Sequence, residues 1–329
     1  PNLDRMVDLA VNWRDPVSPT WREDFWVSSP VSAWSAGVLG LTEPRWFLLF
    51  HAGLAVVALL LPFALPSVRR HPRRAQLVFV VMAAGPIGAV LFSWLGSYDA
   101  ICAIAIVLAA LSRSTFLRCL GWFILAFNHA ALGLAALLLC IPLMLLASPG
   151  TQAWSRLRVP ALATVSVLVG FAANTQLMRT WGAETSRLDF FTRVGFETYV
   201  HLALMAAPVI AFSALGVGWL VLTDSRVRCR RDGRVMLGVA ITATVVIPLI
   251  TLDQSRVLGL ALLAPMLLWA LAASDHYQPQ MLKGLWRTWR IPAVLVPVVL
   301  VWYQGFVVPG WTWFLGLPPV LATLRALPG

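Results

Sequence analysis

Apolar residues fall in long runs, separated by short breaks rich in arginine. The runs are too continuous to be alternating strands or the one-sided helices of a water-solvated domain. A helix that crosses a bilayer needs about 20 apolar residues. Runs near 46–66, 77–95, 159–178, 198–222, 235–250, 257–273 and 291–308 approach or meet that length and predict membrane helices. The stretch 97–147 is less regular. It holds Asp99, an apolar run at 100–111, the polar segment 112–118, a second run at 119–127, then Asn128-His129 and a third run at 130–147. A final stretch at 311–324 is short and contains Pro318-Pro319. The pattern predicts an all-α polytopic transmembrane bundle of roughly 9–11 membrane segments, some of them short or re-entrant.

Residues 1–45 read differently. They are polar and tryptophan-rich, with six acids and four arginines, and Pro16, Pro19, Pro30 and Pro44 interrupt any long helix. The chain therefore divides into an amphipathic outer-face segment at 1–45 and a transmembrane domain at 46–329, with residues 29–41 predicted as an interfacial helix. No signal-peptide pattern follows Pro1, and a first membrane helix upstream would fit that start.

The run at 119–127 has nine residues. At 1.5 Å per residue it covers about 14 Å, less than half of a ~30 Å hydrocarbon core. A segment that short is tolerated only where its ends meet protein or a water-filled cavity. Asn128-His129, and with them Tyr98-Asp99, are expected below the outer surface, on the floor of a cleft.

Composition agrees with lipid as the solvent. Apolar residues make up 59% of the 329 and charged residues 12%, against about 25% charged in a soluble domain. The net charge of +11 is distributed as topology rather than as a nucleic-acid footprint. Loops 67–76, 112–118, 148–158, 223–234, 274–290 and the tail hold 17 of the 25 basic residues and three of the 14 acids. The positive-inside rule places those loops in the cytoplasm, most clearly 67–76 and 223–234, and the membrane expected is a bacterial inner membrane. This alternation requires 119–127 and 130–147 to form a hairpin that goes out and returns.

Motifs exclude more than they assign. The four cysteines form no CxxC, so neither a disulfide framework nor a thiolate zinc site is expected. The five histidines have no HxxxH or HxH spacing, and no P-loop, GxGxxG or GxSxG is present. No metal site is expected, and no nucleic acid is an expected partner.

Ionisable groups near membrane depth are functional candidates by default. Asp253 and Arg256 are three apart and share a helix face, giving a carboxylate beside an anion-binding arginine, or else a plain interfacial salt bridge. Asp99 is either a ligand or catalytic carboxylate or a helix N-cap. His129 is either a general base or an interhelical hydrogen bond. Asp24, next to Glu23 and flanked by tryptophans, is either a catalytic carboxylate beside a sugar platform or a solvated loop residue. Arg187, Arg193 and Glu197 lie in the long outer loop at 179–197 as candidate substrate-binding residues, the arginines to bind lipid phosphate or else to anchor headgroups.

An acidic outer loop, residues 21–30, placed before a helix bundle, together with outer-side Asp253 and Arg256, resembles the layout of the GT-C class of membrane glycosyltransferases and polysaccharide polymerases. The resemblance implies a polyprenyl-phosphate-linked sugar donor used at the outer leaflet in cell-envelope polysaccharide or glycolipid assembly. It implies Asp24 as catalytic base by position, Arg256 with Arg193 on the lipid phosphate, and Asp99 and His129 lining the sugar pocket. A divalent cation could assist glycosyl transfer without the sequence requiring one. The chain departs from that class in being short, in showing no first helix, and in carrying no large soluble domain. Two other classes stay open: a non-catalytic subunit with a membrane-protein partner, and a transporter or flippase.

Overall fold

The structure, a computed structural model, describes residues 2–14, 27–93, 95–147, 153–183, 192, 195–205, 207–251 and 254–300. The segment expected at 311–324 and the end of the one at 291–308 lie outside the described residues. Among the described residues there are helices and turns but no strand. In chain order the first nine helices are α1 (Asn2–Val11), α2 (Pro30–Val38), α3 (Pro44–Ala64), α4 (Pro66–Arg69), α5 (Pro72–Ala84), α6 (Ile87–Ser93), α7 (Asp99–Leu111), α8 (Thr115–Asn128) and α9 (Ala130–Ala147). They are followed by α10 (Ala153–Thr180), α11 (Phe196–Met205), α12 (Ala207–Leu215), α13 (Gly218–Thr223), α14 (Ser225–Arg228), α15 (Arg231–Val246), a 3-10 turn (Ile247–Leu249), α16 (Gln254–His276) and α17 (Pro279–Leu300).

Four segments are long and apolar enough to cross a membrane: Pro44–Ala64, Leu157–Thr180, Arg231–Leu249 and Arg256–His276. Their burial separates their roles. The apolar window of Arg256–His276 is 78% buried, against 28–39% for the other three. Helix α16 is thus the central post, with Trp269 fully enclosed, and it packs against α5, α7, α9, α12 and α15. The other three turn apolar faces outward. On α10, Val165, Leu168, Val169 and Phe171 are each more than half exposed. An exposed apolar face of this extent needs lipid against it, and the chain is an integral membrane protein.

Local chemistry sets where the helices begin and end. Pro44 occupies the first turn of α3, where its missing N–H removes nothing. The same helix ends at Leu65, which is extended because Pro66 follows it. Helix α8 starts at a Ser114 cap whose hydroxyl accepts from the Leu117 N–H, so the run read as 119–127 is extended to 14 residues. That still gives only about 21 Å, short of the ~30 Å core.

Two runs expected as single spans are broken. The 77–95 run ends its first helix at Ala84, because Gly85 is extended and Pro86 has no N–H to give. The 198–222 run turns at Gly216, whose φ of +54° favours glycine. The two breaks meet, and the Val217 N–H donates to the Ala84 carbonyl over 3.0 Å. Irregular backbone at membrane depth is stable when its polar groups are met by protein, and here each break satisfies the other.

The arginine-rich loops gather at one end of the bundle. Arg74 bonds Ser274 (3.0 Å) and Asp275, and the Ser67 hydroxyl bonds the Leu111 carbonyl. The Arg113 guanidinium donates to His71 Nε2 over 3.0 Å. Arg226 reaches Thr288 (3.0 Å), and Trp289 Nε1 donates to Asp224 over 3.0 Å. At the opposite end α1 and α2 fold over the start of α3 and the end of α10, where Met6, Ala10, Ala33, Phe47 and Met178 share a small core.

Candidate functional site

Helices α7, α8, α9 and α16 all have a terminus at the end covered by α2, and their terminal residues are polar. Gly96, with φ +90°, turns the chain into α7. The Ser97 hydroxyl then donates to Asp99 Oδ2 over 2.6 Å. The other carboxylate oxygen faces Arg256, in the first turn of α16, with Nε 3.7 Å from Oδ1. Both side chains are almost fully enclosed, at 1% and 5% exposure. Arg256 Nη2 also donates to the Tyr98 hydroxyl, and its guanidinium carbon lies 4.8 Å from the Tyr98 ring centre.

His129 completes this group. Its ring meets that of Tyr98 edge-on, with centres 4.8 Å apart. It sits in the one-residue gap between α8 and α9, and its Nδ1 accepts from the Leu132 N–H over 3.1 Å. His129 is therefore the side-chain cap of α9, since that N–H is one of the orphans every helix start leaves. Desolvating a carboxylate and a guanidinium is costly unless each is compensated. The ion pair, the serine and the tyrosine supply part of that compensation, while Asp99 Oδ1 meets the guanidinium at 3.7 Å without a hydrogen bond.

Amides and hydroxyls around the cluster tie α2 onto it. Asn128 Oδ1 accepts from the Val31 N–H over 3.1 Å, while its Nδ2 faces Cys102 Sγ at 3.4 Å. Ser32 Oγ lies 2.6 Å from His51 Nε2 and 3.2 Å from the Ser97 carbonyl. His51 Nδ1 faces the Phe47 carbonyl at 2.8 Å, where it donates, and Nε2 shares a hydrogen bond with Ser32 Oγ. Asn174 of α10 donates to the carbonyls of Ser28 (2.9 Å) and Phe127 (2.6 Å), the latter one of the unpaired carbonyls at the end of α8.

Of the residues singled out from the sequence, Asp99, His129 and Arg256 come together. Glu197 is exposed in the first turn of α11, and no bond of it to this cluster is present among the described residues. Asp24, Arg187, Arg193 and Asp253 lie outside the described residues. Arg256, expected to share a face with Asp253, makes an ion pair with Asp99 among the described residues. Among the described residues no three His, Cys, Asp or Glu side chains converge as a metal site. Ser32, His51 and Asn174 belong to the surroundings of the cluster although no motif marks them. His51 and Asn174 carried a signal all the same, as isolated polar residues inside apolar spans. No protein-family model matches the chain, and neither a curated protein nor a solved structure matches it.

Proposed function

We propose that the chain is a membrane glycosyltransferase or glycan polymerase. It would act on a polyprenyl-phosphate-linked sugar at the outer leaflet, with its arginine-rich end in the cytoplasm. One observation carries the reading: the buried Asp99–Arg256 pair, with Tyr98 and His129, at the ends of helices α7 and α8, which are too short to span. Short helices that place charge below a membrane surface are a construction suited to a lipid-borne polar substrate. In this reading Arg256 takes the phosphate. An acceptor hydroxyl attacks the anomeric carbon, and its proton passes to a carboxylate, assigned to Asp24 by position. The sugar–phosphate C–O bond breaks, and its electron pair leaves on the phosphate beside Arg256. Asp99 and His129 line the sugar pocket, and Asp99 holds Arg256 in place. Positioned acid–base groups and charge stabilisation are the catalytic devices involved.

The enclosure of the same pair favours a second reading, a non-catalytic subunit in which the cluster only locks helix ends together. The test uses the full chain expressed in its host membrane, with lipid-linked and polymeric glycans profiled by mass spectrometry. Asp24→Ala, Arg256→Lys and Asp99→Asn are each expected to lower product at least tenfold at matched protein levels. Unchanged product in all three rejects the enzyme and leaves the subunit reading.

A further inference from the structure

Helix α8 is not packed evenly against its neighbours. Near its C-terminal end it is gripped by α10, where a Cβ on Gly170 would stand 2.5 Å from the Phe123 carbonyl oxygen. Two turns earlier along α10, at the arginine-rich end, the helices separate. A crevice of about 40 Å³ opens there between α7, α8, α9, α10 and α16. Its walls are apolar and include Ala110, Trp122, Met144, Leu162, Ala163 and Leu268, while Thr115 and Arg118 mark its polar rim in the first turn of α8.

Arg118 decides what would fit. Among the described residues it has no salt bridge and no side-chain hydrogen bond, unlike Arg74, Arg113 and Arg226 at the same end. Neither 112–118 nor 153–160 contains an acid, and Arg158 is exposed nearby on α10. An unpaired guanidinium above an apolar slot in the membrane wall complements a molecule with an anionic head and a hydrocarbon tail. Basic pockets between membrane helices are recognised sites for acidic lipid headgroups. We propose that this crevice binds one acidic glycerophospholipid of the leaflet at the arginine-rich end. Its phosphate lies on Arg118 with Thr115 as a hydroxyl donor, and the first part of an acyl chain lies along Leu162 and Trp122. The site is at the opposite end from the Asp99–Arg256 cluster and does not depend on the glycosyl-transfer reading.

The experiment uses the full chain in nanodiscs of phosphatidylcholine with 30% phosphatidylglycerol, with lipid retained after gentle detergent release counted by native mass spectrometry. One phosphatidylglycerol per chain is expected to be retained in preference to phosphatidylcholine. Arg118→Gln, which keeps the crevice, should cut that preference about fivefold, the factor for roughly 1 kcal/mol per arginine near an anionic surface. Leu162→Trp fills the slot from its lipid side, keeps the charge, and should lower retention similarly. Arg69→Gln, at the same end but outside the crevice, should leave retention unchanged. Equal losses from Arg69→Gln and Arg118→Gln would reduce the effect to bulk electrostatics and overturn the site, as would full retention in both crevice variants. Displacement of the lipid by millimolar inorganic phosphate alone would also overturn it, because it would show that the tail contributes nothing.

Discussion

Asp99 and Arg256 show how a buried ion pair makes each partner depend on the other. Removing one partner leaves an uncompensated charge, which costs about 3–5 kcal/mol, while replacing both by uncharged groups is often close to neutral. Asp99→Asn and Arg256→Met are each expected to lower thermal stability in detergent by that order, and the double variant to recover most of it. A double-mutant cycle with no coupling would show that the 3.7 Å approach carries no energy. The double variant also separates the two functional readings, because it restores the fold without restoring the charges. Each of these residues was visible in the sequence as a charge beside an apolar run. Their partnership was not, because spacing rules reach only neighbours on one helix and the two lie on different helices. At the arginine-rich end, Asp224 is held by Arg226 at 2.6 Å and by Trp289. The Arg226 hydrogen bond, foremost, pulls its carboxyl below the ordinary carboxylate range, against a smaller opposing effect of burial. A depressed pKa stabilises the fold fully above about pH 4, the unfolded value, and the stabilisation is lost as pH falls through the folded one. Asp224→Asn should therefore be less stable than the parent at pH 7, by about 1–3 kcal/mol. The gap should narrow as melts are taken below about pH 4 and close once the pH is under the folded value, and a gap constant across that range would contradict the assignment.

Elements were legible where one apolar run was continuous and its ends were punctuated by proline. Helix α3 coincides with the run at 46–66, and the hairpin of α8 and α9 turns at Asn128-His129 as the arginine alternation requires. The break at Ala84-Gly85 was legible as a Gly-Pro interruption, whereas the one at Gly216 was not, because hydropathy averages over a lone glycine within an apolar run. Their pairing through the Val217 N–H and the Ala84 carbonyl is a tertiary fact that no window along one segment contains. It bears on function, since a transporter uses the open ends of broken helices to hold its cargo. Here the Ala84 end is met by backbone rather than turned to a cavity. Gly216 has two reasons to be glycine, a φ of +54° and the direct approach of the Ala84 oxygen. Gly216→Ala should cost about 1–3 kcal/mol from overpacking and added backbone strain. Pulsed hydrogen exchange should show the loss as faster exchange at Val217 ahead of the α16 core. Unchanged protection there would mean that the two breaks do not depend on one another.

At the scale of the whole molecule, sidedness joins the fold to any function assigned to it. The loops at 67–76, 112–118, 223–234 and 274–290 were grouped by charge alone, and the structure brings all four into contact at one end. That agreement concerns which loops lie together; the cytoplasmic placement of that end is a proposal that rests on the positive-inside rule. The chain carries a native reporter for it. Cys229 is exposed in the arginine-rich loop, whereas Cys102 and Cys140 are buried in the bundle and Cys119 is partly covered. A membrane-impermeant maleimide reacts with the thiolate it can reach. With Cys119→Ser in place, labelling should therefore report on Cys229 almost alone. Labelling is expected in inverted membrane vesicles and not in intact spheroplasts, with Cys229→Ser as the blank. The reverse pattern would put the Asp99–Arg256 end in the cytoplasm. A lipid-linked sugar displayed on the outer leaflet could not then reach it, whatever the chemistry of the cluster.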